Sequence, residues 1–396
     1  MKKIMSVNAG SSSLKFQLLD MPEEHVITEG IVERIGKEDA YFTIKLDGQK
    51  HKTVLPILDH EQAVAKVLDE LVTRKVVESL DEIKGVGHRV VHGGEKFKES
   101  VVITPEVIQQ IKAVSFLAPL HNPGAISGIN AFQEKLPNVE MVAVFDTAFH
   151  QTMEPEAYMY AVPYEWYEKY GVRKYGFHGT SHQFVAQRAS ELVGKKFENS
   201  KIITCHLGNG ASIAAVKFGK CVDTSMGMTP LGGIPMGTRS GDIDPAIVEF
   251  ISQIAPMSVE DVMEALNKKS GYLGVSGVSN DSRDLEDGVD AGNKRCELAL
   301  DIQYKRIADY IASYYAYMGG ADAIVFTAGI GENSHRGRSI ILNRLHALGV
   351  EVDEEANMVR SVEQEITTKN SKIRGFLIPT NEELVIARDT VRLTQK

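Results

Sequence analysis

Cysteine is scarce in this chain: Cys205, Cys221 and Cys296 are the only three among 396 residues. They stand too far apart for a CxxC metal or redox motif, and an odd number leaves no complete disulfide framework, so a reducing cytoplasm is the expected setting. Long apolar runs are missing too. Nothing approaches the ~18 residues of a membrane span, and Lys2 and Lys3 precede only a short apolar run before Asn8 and Gly10, so neither membrane insertion nor a signal peptide is expected. Positive charge is in deficit: 44 Lys and Arg oppose 53 Asp and Glu, for a net charge of −9. Nucleic acids and anionic membranes need a basic footprint that is not evident, and any anionic substrate must be met by local arginines and lysines. Two nucleotide motifs are also absent. There is no GxxxxGKS/T P-loop, and neither Gly208 and Gly210 nor Gly329 and Gly331 have the third glycine of GxGxxG, which weakens a dinucleotide dehydrogenase. Histidines and carboxylates show no zinc spacing such as HExxH, which argues against a tightly bound transition metal.

What is present suits a globular protein, with 43% hydrophobic and 24% charged residues and enough length for two domains. The opening run Ile4 to Val7 breaks into Asn8, Ala9, Gly10 and Ser11 to Ser13 before Leu14, Lys15 and Phe16 resume an extended pattern, which reads as strand, tight turn, strand. Glycine permits the bend, serine hydroxyls donate and Lys15 is positive, so the turn can hold phosphate oxygens or be an ordinary Ser-rich hairpin. Further extended pieces at 30–35 and 41–46 suggest an antiparallel meander. Ala63, Val64, Val67, Leu68 and Leu71 recur at helical spacing and predict a helix over 61–77. Strands are then expected at 84–91 and 139–144. The scheme repeats at 201–205, a Gly/Asn turn over 206–210 and a strand at 211–218, which suggests a duplicated α/β architecture. The Tyr- and Pro-rich stretch 146–177 is the candidate crossing between domains. A buried strand at 322–326 is expected to open onto a glycine loop, Gly329 to Asn333.

Charged residues beside these turns point to chemistry. Arg89 lies inside an apolar strand, where a cation is costly unless it meets an anion; its fork suits a carboxylate, a phosphoryl group or a structural partner in the core. Arg239 repeats the idea in a loop framed by glycines and hydroxyls. Asp146 ends a strand, where it can orient a substrate or metal, or simply cap the next turn. His178 stands between glycines before a predicted helix, placed either to donate to a transferring phosphoryl group or to open the helix without catalytic duty. Asn8 and Glu382 are candidates for Mg²⁺ contacts, since a hard cation held largely by nucleotide phosphates leaves little trace in sequence.

Taken together, Asn8 to Lys15, Arg89 to Gly94, Phe145 to Thr152, Tyr175 to His182, His206 to Ala211, Gly237 to Pro245 and Gly329 to Asn333 follow the order of the signatures of the acetate kinase family, and the whole chain resembles it. The resemblance implies two ribonuclease H-like domains with duplicated βββαβαβα cores around a nucleotide cleft, over 1–147 with 383–396 and over 148–382. It implies Mg²⁺, with Mn²⁺ as a substitute, ATP and ADP as co-substrates, acetate and acetyl phosphate as the other pair, and a homodimer. Asn8 and Glu382 would serve the metal, and Lys15, Ser11 and Ser13 would approach the phosphates. Arg89 would bind substrate, with Val91, Leu120 and Pro230 as an apolar wall. Asp146, His178 and Arg239 would be catalytic. His206, Leu207, Gly208, Asn209 and Gly210, with Asp281, Ser282 and Arg283 and with Gly329, Ile330, Gly331, Glu332 and Asn333, would line the ATP site. Domain closure is expected, because water must be kept from an acyl phosphate. One departure from the family pattern is Glu154, between Met153 and Pro155. Propionate kinase is the near alternative and an actin- or chaperone-like switch ATPase the distant one.

Overall fold

The computed structural model describes residues 2–394; Met1, Gln395 and Lys396, which fall in the expected first domain, lie outside the described residues. The chain divides into two compact units, Met1–Phe149 with Asn381–Lys396, and His150–Thr380. Most of the stretch 146–177 therefore belongs to the second unit, where it forms two short helices, Pro155–Tyr158 and Tyr164–Tyr170.

The first unit is built on eight strands: β1 (Lys2–Ala9), β2 (Ser13–Met21), β3 (His25–Glu33), β4 (Tyr41–Leu46), β5 (Gln49–Val54), β6 (Ile83–Val90), β7 (Val101–Val102) and β8 (Met141–Phe145), in the order β5-β4-β3-β2-β1-β6-β8-β7. β1 to β4 form the expected antiparallel meander and β5 extends it by a strand that was not expected, while β6 and β8 run parallel to β1. The third strand begins at His25 and ends at Glu33, ahead of the expected 30–35, because polar His25, Thr28 and Glu29 still pair with β2 or β4. The helix expected over 61–77 is His60–Thr73. Asp59 caps it by accepting from the Gln62 amide, and Lys75 stops it in the left-handed region at φ 58°, with the Val76 amide returning to the Leu71 carbonyl.

The second unit repeats the plan with β9 (Lys201–Leu207), β10 (Ala211–Lys217), β11 (Lys220–Thr224), β12 (Ala323–Thr327), β13 (Gln364–Glu365) and β14 (Arg374–Leu377), in the order β11-β10-β9-β12-β14-β13. Within each sheet the same core recurs: three antiparallel strands, then two parallel strands beside the first, which is the ribonuclease H-like arrangement. After β12 the expected glycine loop is instead a short helix, Ala328–Asn333. Its first amide is satisfied internally, since Ala328 donates to Glu332 Oε1 at 3.0 Å, and Asn333 Nδ2 donates back to the Gly329 carbonyl at 2.8 Å. Among the described residues no helix is long and apolar enough to cross a membrane.

Candidate active site

Strand alternation decides what the first unit presents. Gly85, Gly87 and Arg89 share one face of β6, and an ideal Cβ on Gly87 would lie 2.3 Å from Thr390 Oγ1 and 2.4 Å from Ile386 Cγ2. Arg89 therefore faces the C-terminal helix Glu382–Thr394, which brings Glu382 and Glu383 with it. The parallel register Ser6↔Gly87 carries the same face onto Asn8, and Asn8 pairs with Lys15 across the hairpin. Ser6, Asn8, Lys15, Arg89, Glu382 and Glu383 consequently line one pocket, with Ile386.

Arg89 in that pocket is already engaged. Its Nε donates to Asp146 Oδ1 at 2.8 Å and its Nη2 to Oδ2 at 2.7 Å, while Nη1 lies 3.8 Å from Glu382 Oε2. Burial works against its charge, but Asp146, Glu382 and Glu383 outweigh burial and hold the guanidinium above its usual range. The Lys15 ammonium pairs with Glu383. Three carboxylates thus face two cations, and Glu382 is the one left short: burial raises its pKa above the ordinary 4.5, Arg89 opposes the rise, and Asp146 and Glu383 add to it. A hard divalent cation suits this donor set of carboxylate and amide oxygens. No three His, Cys, Asp or Glu side chains gather into a metal cage among the described residues.

In the second unit a cavity of about 610 Å³ is lined from four segments. Gly208 and Asn209 come from the β9–β10 turn; Asn280, Asp281, Ser282, Arg283 and Glu286 from the start of the helix Ser282–Asp290; Gly329, Ile330, Asn333 and Ser334 from the segment after β12; and Arg360 from a loop. Asp281 caps its helix by accepting from the Arg283 amide, and burial does not hold it: its side-chain bond to Arg283 keeps its pKa below the usual range. The buried Arg338 fastens two of these segments together. It donates to the carbonyls of Gly331 at 2.9 Å, Asn357 at 2.7 Å and Val359 at 2.8 Å, and burial lowers its pKa to about 10.

Beside the turn stand the residues suited to chemistry. An ideal Cβ on Gly210 would sit 3.3 Å from Arg239 Nη1 and 3.5 Å from His178 Nε2, so the two side chains converge over that glycine. Arg239 Nη1 reaches the Pro230 carbonyl at 3.3 Å and Met236 Sδ at 3.7 Å, and burial lowers its pKa. No carboxylate pairs with it among the described residues. His178 adopts φ 57° immediately before the helix Gly179–Leu192 and stacks on His206 with ring centroids 4.1 Å apart.

The sequence profile described as the Acetokinase family matches residues 3–388. The acetate kinase of Geobacillus sp. (strain WCH70) is 59% identical, covering 99% of either chain. The acetate kinase of Porphyromonas gingivalis superposes with a TM-score of 0.97 at 44% identity over 100% of both chains, and a propionate kinase from Francisella tularensis with 0.93 at 42% over 99% of this chain and 100% of that one. The chain belongs to the acetokinase family. Membership makes it a phosphotransferase with a carboxyl acceptor.

Of the residues expected from the family signatures, Asn8, Lys15, Arg89, Asp146 and Glu382 meet in the first unit. Ser11 and Ser13 lie outside that pocket: Ser11 is exposed, and the Ser13 carbonyl closes the turn by accepting from the Gly10 amide. Val91 is half-buried and Leu120 is 69% exposed. In the second unit Gly208, Asn209, Asp281, Ser282, Arg283, Gly329, Ile330 and Asn333 line the cavity. His206, Leu207, Gly210, Gly331 and Glu332 support it from outside its lining, Glu332 by accepting from the amides of Ala328 and Thr380. Asn280 and Ser334 join the lining as neighbours of the expected segments 281–283 and 329–333, whereas Glu286 and Arg360 are lone polar residues with no motif around them. Glu383 had one signal, its place next to Glu382.

Proposed function

We propose that this member of the acetokinase family transfers the γ-phosphoryl group of Mg·ATP to acetate, reversibly, giving acetyl phosphate and ADP. The observation that carries the reading is Arg239, a half-buried guanidinium whose partners are a carbonyl and a thioether and which stands over the glycine turn beside His178. Such a cation calls for an anion that the protein does not itself supply. In the transfer an acetate oxygen bonds to the γ-phosphorus as the bond to the ADP oxygen breaks in line, and Arg239 and His178 are the donors for the equatorial oxygens. Acetate is already ionised at neutral pH, so no base is required. Asp146, gripped by the fork of Arg89, orients that arginine rather than abstracting a proton. Asn8 and Glu382 would hold Mg²⁺, or Mn²⁺ in its place, which supplies neutralisation of phosphate charge when bound. The cavity lined by Asp281, Ser282 and Arg283 takes the nucleoside end.

Acetate is favoured because the Geobacillus and Porphyromonas relatives are acetate kinases, and propionate is kept as a second reading by the likeness to the Francisella enzyme. One methylene changes discrimination by only about 1–3 kcal/mol, and Val91, Leu120 and Pro230 are proposed as the wall that decides it. Self-association as a homodimer and a cytoplasmic setting belong to the same proposal; the three cysteines are free and buried. The test is ADP formation from Mg·ATP with acetate, propionate, butyrate or no acid. Acetate-dependent turnover with the highest kcat/KM supports the reading, propionate preference moves the assignment to the second, and turnover indifferent to carboxylates returns it to a switch ATPase.

A further inference from the structure

Behind His178 lies a buried chain of hydroxyls and imidazoles. His178 Nδ1 meets Ser212 Oγ at 2.8 Å, the same oxygen meets His182 Nε2 at 2.7 Å, and His182 Nδ1 meets Thr204 Oγ1 at 2.6 Å. Thr204, His182 and Ser212 are each fully buried. Their positions follow from the fold: Thr204 lies on β9, Ser212 on the adjoining β10, and His178 and His182 sit one helical turn apart at the start of the helix Gly179–Leu192.

Each hydroxyl has one proton and a neutral imidazole has one N–H; if Ser212 accepted from both histidines its own buried proton would have no acceptor among the described residues, so two directions are left to compare. His182 is the neutral link. It is buried without a carboxylate partner among the described residues, and burial, with His150 and His206 nearby, holds its pKa well below the usual value. In one direction the Thr204 hydroxyl donates to His182 Nδ1, His182 Nε2–H donates to Ser212, and the Ser212 hydroxyl donates to His178 Nδ1. In the other every bond reverses, and the Thr204 proton is left without an acceptor, because His182 is the only side-chain partner of Thr204 among the described residues. A buried donor with no acceptor bears its whole desolvation penalty, so the first direction wins.

We propose that Thr204, His182 and Ser212 form a one-way hydrogen-bond relay that holds His178 as the neutral tautomer protonated on Nε2, which makes all three positioning residues for phosphoryl transfer. The inference rests on the role proposed above for His178. With Nδ1 accepting, the ring proton sits on the nitrogen nearest Gly210 and Arg239 and is aimed as a donor where the phosphoryl charge develops. A second proton on His178 requires either that the whole relay reverse or that the buried Ser212 proton lose its acceptor. The groups that surround the pair from other elements act in the same sense: His206 stacks on His178, Arg239 brings a positive charge across Gly210, and His150 packs edge-on against His182 with ring centroids 5.7 Å apart. His206 is held similarly, its Nδ1 meeting Ser181 Oγ at 2.8 Å while Thr380 donates to that oxygen.

The test is the imidazole nitrogen spectrum of protein labelled with ¹⁵N-histidine, with the His178 signals identified by their loss in His178→Gln. The expected result is Nε2 protonated and Nδ1 bare throughout the neutral range. Thr204→Val keeps the shape of the side chain and removes the donor. It is expected to mix the two His178 tautomers and lower kcat about tenfold, a part of the roughly 10²–10³-fold that one donor to a transition-state oxyanion carries. The KM for ATP should stay unchanged, a new acid limb should enter the pH profile, and Thr204→Ser should restore all three. A wild-type His178 protonated on Nδ1, or a Thr204→Val protein with the wild-type spectrum and pH profile, overturns the relay. Failure of the underlying reading is seen separately, as a His178→Ala protein that keeps wild-type kcat.

Discussion

Arg89 and Arg239 carry the same planar fork into different surroundings, and their variants should fail in different ways. Arg89 is locked to Asp146 by two hydrogen bonds. Arg89→Ala leaves that buried carboxylate unpaired, so it is expected to lower folding stability by about 3 kcal/mol in denaturant titration and to raise the KM for acetate. Arg239 holds no carboxylate, so Arg239→Ala should leave stability nearly unchanged and lower kcat by roughly 10²–10³-fold. Equal and mild effects of the two changes would count against both roles. Glu382 yields a prediction in pH. Its folded value is raised above 4.5, chiefly by burial, so the folded protein keeps this proton where the unfolded chain has released it. The associated stability is fully present below the ordinary value and lost as pH rises through the raised one. Glu382→Gln removes this slope: melting of the metal-free variant should be no lower than wild type at neutral pH and should vary less between pH 4.5 and neutrality. The same variant should need at least about tenfold more Mg²⁺ for half-maximal activity. A variant that melts lower at neutral pH, or that titrates with Mg²⁺ as wild type does, refutes the assignment.

At the scale of elements, the first unit depends on how closely the C-terminal helix approaches β6. No side chain fits at Gly87 without moving Thr390 or Ile386, both on the helix that carries Glu382 and Glu383. Gly87→Ala is expected to cost about 1–3 kcal/mol through overpacking and to raise the Mg²⁺ requirement by displacing that helix. Thermal melting and a Mg²⁺ titration together check it, and a loss of stability with an unchanged titration would uncouple the helix from the cation site. This dependence was only partly legible in sequence. The glycines of β6 stand among Ile83, Val86 and Val90, which mark the strand, but nothing local says that a helix from the far end of the chain lies upon them. Alternation and the Asp47-Gly48 turn agree on the bounds of Tyr41–Leu46, whereas the edge strand β5, with Lys50, His51 and Lys52, has too polar a pattern to announce itself. The segment after β12 suggests a loop through its two glycines. It is helical because Glu332 folds back onto the Ala328 amide, a bond between side chain and backbone that composition does not reveal.

For the molecule as a whole, the repeated strand order is the part that sequence conveyed best, since strand, small-residue turn and strand occur twice with apolar runs that can only be buried. What it conveyed least is association. The helix Ala246–Ile254 has no buried residue, yet Ile247, Phe250 and Ile254 recur at three- and four-residue spacing along it, with Phe250 58% and Ile254 64% exposed. The neighbouring helix Val259–Lys268 leaves Val259 and Met263 open to solvent as well. Fully burying such a side chain is worth about 1.5–3 kcal/mol, and a two-fold axis presents the same stripe twice, so the homodimer proposed above would have in this stripe an apolar face to bury. Replacing Phe250 and Ile254 together by Asp would set like charges against each other across that axis. Because nothing on the helix is buried within one chain, the variant should fold and melt as wild type does. In sedimentation equilibrium the wild type is expected at twice 43.6 kDa and the variant at 43.6 kDa. A wild type that sediments as a monomer at assay concentrations removes the homodimer, and a variant that remains dimeric moves the interface to another face of the molecule.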